Sequence, residues 1–144
     1  MSSPSPRSPR VDRDVVLDWA CRAAVAADDK QGRDTVVLEV GAVLAITDFF
    51  VITSATNSRQ VRTIAEAVEE KLKLEVGVSP VRVEGRSDLT WVLLDYGDIV
   101  VHIQHAEERV YYALERLWRD CPTIPFAPRP GARSDGARED QNAS

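Results

Sequence analysis

Cysteine and histidine are scarce here, two of each in 144 residues. Cys21 and Cys121, with His102 and His105, offer neither metal-ligand spacing nor a disulfide framework, which excludes a zinc-held or disulfide-stapled domain. The thiols are expected to be reduced, in a cytoplasmic setting. Neither G-x-G-x-x-G nor G-x-x-x-x-G-K-[ST] occurs, so the glycine loops that cradle dinucleotides and nucleoside triphosphates are missing. No apolar run approaches a membrane span, and the N-terminus lacks the apolar stretch of a secretory signal. An excess of positive charge is lacking too. The formal charge is −5, and residues 11–122 hold 13 basic against 20 acidic side chains, a net −7. An acidic domain meets repulsion at a phosphate backbone, so direct nucleic-acid binding is not expected and a basic protein partner is.

What remains is an ordinary globular composition, 44% hydrophobic and 28% charged, on a chain of single-domain size. Its organising stretch is Trp91 to Gln104, WVLLDYGDIVVHIQ. Two apolar runs meet at Gly97-Asp98, which reads as a tight hairpin with a primed turn. If residue 96 faces 99, Val92, Leu94, Tyr96, Ile99, Val101 and Ile103 share one apolar face and should be core. The other face carries Trp91, Leu93, Asp95, Val100, His102 and Gln104, a surface for a partner or for covering helices.

Upstream, Asp12 is a fitting N-cap for a helix with an Ala-rich stripe. Residues 35–40 and 49–55 read as strands. Asn57 and Gln60 have capping-box spacing before a helix with Val61, Ile64, Ala65, Val68 and Leu72 on one side, and Gly77 ends it. Pro80 places the short strand 81–84 near an edge. A last helix is expected over about 106–120, before Pro122. Residues 1–10 and the stretch after Phe126 have nothing to bury and should be disordered. The element order predicts an α/β single domain, a mixed β-sheet covered by helices. The final hairpin is antiparallel, and the strand–helix–strand unit around residues 61–72 favours a parallel pair.

Three chemistries compete for this frame. Asp48, Asp95 and Asp98 with His102 allow a metal-assisted or general-base site to be drawn, but acids beside turns ordinarily stabilise the turn. Residues 54–58 enter a helix N-terminus, a general anion site, but the hydroxyls suffice as caps. Protein binding is favoured, because Trp91, Tyr96, Tyr111, Tyr112, Trp118 and Phe126 gather in the C-terminal half, and aromatic anchors in polar surroundings are typical of interface hot spots. Tyr96 is drawn inward by the alternation, yet beside the turn its hydroxyl is expected to reach outward.

DFFVITSATNSRQVRTIAEAVEEKL followed by WVLLDYGDIVVHIQHAEERVYYALERLW resembles the ribosomal silencing factor, or Iojap, family over roughly residues 12–122. The domain is accordingly placed at 11–122, between tails at 1–10 and 123–144. The resemblance implies a nucleotidyltransferase-like fold without the catalytic signature, no cofactor or metal, and binding to the large ribosomal subunit through its protein L-fourteen. Such binding stops the small subunit from joining and lowers translation when nutrients are scarce. It leaves a homodimer open. The expected contact residues are Trp91, Asp95, Tyr96, Gly97, Asp98, His102 and Tyr112. A residual metal-dependent nucleotidyl transfer around Asp48, Asp95 and Asp98 is the alternative. Ala55, Ser58, Phe49 and Gln104 depart from the residues common in the family, which puts the loop chemistry in doubt more than the silencing role.

Overall fold

A computed structural model describes residues 12–126. Asp12 caps α1 (Arg13–Asp29), its side chain accepting from the Asp14 amide at 2.8 Å. The alanine stripe of α1, Ala20, Ala23, Ala24 and Ala27, is fully buried. Small side chains let this helix lie close to the sheet and to α2 (Ser58–Val76). Asn57 caps α2 by accepting from the Gln60 amide at 2.9 Å, and Gly77 closes it in the left-handed conformation at φ 74°. Gln60 reaches further than a capping box requires. Its carbonyl accepts from the Thr56 amide, while its amide group donates to the carbonyls of Lys30 and Gln31, tying the end of α1 to the start of α2. The polar loop at 54–58 is thereby occupied with joining two helices.

The sheet comprises β1 (Arg33–Glu39), β2 (Phe49–Ala55), β3 (Arg82–Glu84), β4 (Trp91–Asp95), β5 (Ile99–His105) and β6 (Thr123–Ile124), in the order β3-β4-β5-β2-β1-β6. It is mixed: β2 and β5 are parallel and the other pairs antiparallel. The parallel partner of β2 is thus β5, whereas β3, the next strand in the chain, lies three positions from β2 at the edge. Hairpin pairing brings β4 beside β5 and displaces β3 outward.

The hairpin register follows the alternation. Tyr96 donates its amide to the Ile99 carbonyl at 2.9 Å, and Gly97 takes the first central turn position at φ 87°, where a residue with a Cβ would be strained. Val92, Leu94, Ile99, Val101 and Ile103 are all fully buried against α1 and α2.

Three expectations need correction. The last helix is broken into α3 (Ala106–Tyr112) and α4 (Leu114–Leu117) at Ala113, which adopts φ 48°, ψ 55°. The break turns Leu114 and Trp118 onto a second apolar cluster with Leu38, Val40 and Ile52. Second, a disordered tail beginning at 123 starts too early. Thr123 and Ile124 pair with Leu38 and Val37, and Phe126 packs on the main core. Third, of the two uses expected for the hairpin's other face, a partner or covering helices, β5 takes the covering helices, so His102 is not an exposed contact. Val100, His102 and Gln104 are buried, beside Phe50 and Ile52 on β2 and beneath the C-terminal helices. Only its β4 portion is partly open.

Candidate functional site

The open portion of that face is built by β4. In the β4–β5 register Trp91 stands opposite Gln104 and Leu93 opposite His102, so Trp91, Leu93 and Asp95 alternate outward while Val92 and Leu94 enter the core. Trp91 and Leu93 are half-buried, and with Glu84 and Gly85 they line a depression of about 340 Å³. Gly85 stands at φ 90°, where a Cβ would collide with the Trp91 carbonyl oxygen, so only glycine lets this strand end approach β4. Val110 on α3 and Leu117 on α4 are 80% and 72% exposed, although these helices otherwise close the same side of the sheet. Large apolar side chains left in water are what a protein partner buries.

Behind Trp91 lies an aromatic series. Its indole Nε1–H donates to His102 Nδ1 at 3.2 Å, with ring centroids 5.9 Å apart. His102 meets the Phe50 ring edge-on at 4.8 Å, and Phe50 meets Trp118 likewise at 5.6 Å. His102 itself is 5% exposed, and burial lowers its pKa from the ordinary 6.5 to about 4. It is therefore neutral at physiological pH and is not a surface contact.

The hairpin tip holds the acids. Asp95 accepts from the Gly97 amide at 2.8 Å through one carboxylate oxygen and from Arg82 at 3.2 Å through the other. Thr47 donates its hydroxyl to the Gly97 carbonyl, and the Asp48 amide donates to the Asp98 carbonyl at 2.8 Å, so the loop before β2 grips the turn. Asp95, Gly97 and Asp98 remain partly exposed. Among the described residues no three His, Cys, Asp or Glu side chains gather as metal ligands, and Asp95 is committed to turn and strand.

The seven expected residues therefore do not form one surface. Asp95, Gly97 and Asp98 lie at the hairpin turn, whereas Trp91 lies at the other end of β4, opposite Gln104. Tyr96 is buried on the opposite, helix-covered face, and its hydroxyl is enclosed without a hydrogen-bond partner rather than reaching outward. Burial, with the nearby Glu69 carboxylate, raises the Tyr96 phenol pKa. The Tyr112 side chain lies outside the described residues. Leu93 was recoverable from its alternation with Trp91, but nothing local in the sequence links Glu84 and Gly85 to the tryptophan.

The family profile described as ribosomal silencing factor during starvation matches residues 16–144. A protein of Halalkalibacterium halodurans named ribosomal silencing factor RsfS is 42% identical over 102 residues, covering 71% of this chain and 86% of its own. A mouse protein named mitochondrial assembly of ribosomal large subunit protein 1 is 33% identical over 91 residues, 62% of this chain and 40% of its own. The crystal structure of a Chromobacterium violaceum protein, 33% identical, superposes with a TM-score of 0.69 over 78% of this chain and 92% of that one.

Proposed function

Because this chain belongs to the ribosomal silencing factor family, a family of ribosome-associated regulators, we propose that it represses translation by binding the large ribosomal subunit through its protein L-fourteen and keeping the small subunit from joining. The observation that carries the proposal is the half-open tryptophan. Trp91 and Leu93 line a depression on the part of the sheet face toward the β3 edge, in a domain whose net charge is negative. Such a surface suits a basic protein and is repelled by naked rRNA. Asp95 and Asp98 at the hairpin tip add charge complementarity, which acts on encounter and register more than on affinity.

The mechanism is steric. The domain docks by its hairpin, its bulk occupies the space into which the small subunit would move, and no bond is made or broken. The protein is then a binding module rather than an enzyme, and its place of action is the cytoplasm, where free subunits meet. A homodimer formed through the same face would compete with the ribosome. Mixing purified subunits and following their joining by light scattering tests the proposal. The protein should lower the joined fraction in proportion to large subunits bound, without nucleotide. Undiminished joining at saturating protein refutes it, and heat on titrating nucleotide with Mg²⁺ into the protein alone would point to transferase chemistry instead.

A further inference from the structure

We infer that His102 is a positioning residue that sets the direction of the Trp91 indole for the partner, an inference that rests on Trp91 being the contact proposed above. The geometry is directional. Trp91 stands opposite Gln104 on β5, yet its indole leans along the strand to the diagonal neighbour and donates to His102 Nδ1 at 3.2 Å. Diagonal pairs across antiparallel strands are within reach of large aromatic side chains. The acceptor is itself immobilised, packed edge-on against Phe50, which is in turn packed against Trp118.

The cost of this arrangement marks it as more than packing. With Nδ1 accepting, the neutral ring must carry its proton on Nε2, and Nε2 is buried with no hydrogen-bond partner. A leucine would fill the position without leaving a polar group unsatisfied, and water could serve the indole N–H of a half-exposed tryptophan. The histidine therefore adds nothing that Trp91 needs for its own hydration. What it adds is a fixed indole orientation, so that less side-chain freedom is lost when the partner closes on the ring.

The test uses the full chain labelled with ¹⁵N, the Trp91 indole signal being the one lost in Trp91→Phe. In the parent, His102 should show the Nε2–H tautomer and the Trp91 indole N–H should exchange slowly with solvent. In His102→Leu that signal should move upfield and exchange faster, while affinity for purified large subunits falls about threefold to tenfold. His102→Asn, whose side-chain oxygen stands near the position of Nδ1, should recover a good part of both. An Nδ1–H tautomer in the parent overturns the inference without any variant needing to fold. So does a folded His102→Leu that binds like the parent while Trp91→Ala has lost binding. Unchanged binding by folded Trp91→Ala is a different outcome, because it refutes the reading of the site on which the inference rests.

Discussion

Lowering the pH from 7 to 5 should weaken this fold through His102. The ring is buried and neutral in the native state, where its pKa falls from 6.5 to about 4, whereas in the unfolded chain it takes up a proton near the ordinary value. A depressed native pKa means that the unfolded state binds more protons through the window between the two values. The contribution is therefore fully present above pH 6.5, declines as pH falls, and is exhausted below about 4. At pH 5 the unfolded pKa lies about 1.5 units above ambient while the native ring is still mostly neutral, which corresponds to about 2 kcal/mol. Urea denaturation followed by circular dichroism at pH 7 and pH 5 measures this, with His102→Asn as the reference. The carboxylates titrate alike in both proteins, and asparagine does not titrate, so any change it makes in the indole hydrogen bond affects the variant equally at both pH values. The parent should lose about 2 kcal/mol more than the variant on acidification. Equal losses would mean that His102 is hydrated or charged in the native state, and the buried aromatic series would have to be abandoned.

Other perturbations test other parts of the account. Leu94 is fully buried under the helices, so Leu94→Ala should cost about 2–5 kcal/mol by leaving a cavity, read from the urea midpoint. Val101→Asp, which buries an unpaired charge, should be worse still, and unchanged melting of both would show that the wrong hairpin face was assigned to the core. Asn57→Ala removes the α2 cap and should cost about 1 kcal/mol by the same measurement. Asp95→Asn and Asp98→Asn should slow association with large subunits, an effect that fades as salt rises, and salt-independent rates would refute their steering role.

Elements with a local cause were legible in the sequence. The hairpin at Gly97, the cap at Asn57 and the Gly77 terminator each depend on a few adjacent residues and stand where their spacing put them. The features that were not legible depend on distant chain. Nothing within residues 106–120 announces that Ala113 will turn left-handed; the break has its purpose only against Leu38, Val40 and Ile52. β6 exists because β1 offers it an edge, and two residues without an apolar pattern cannot advertise that. The same applies to the site. Alternation placed Trp91 outward and Tyr96 inward correctly, but that Tyr96 would be enclosed up to its hydroxyl, and that His102 would serve Trp91 from beneath, required the covering elements on both faces. Tyr96→Ala is accordingly a perturbation of stability before it is one of binding.

The central claim, that the Trp91 face binds the large subunit, is tested most directly by cosedimentation of the full chain and of Trp91→Ala with purified large subunits, once circular dichroism has confirmed that the variant is folded. The parent should pellet with the subunits, and the variant should bind at least about fivefold more weakly, the loss of more than about 1 kcal/mol that a central aromatic anchor carries. A folded Trp91→Ala protein that cosediments like the parent would contradict the account.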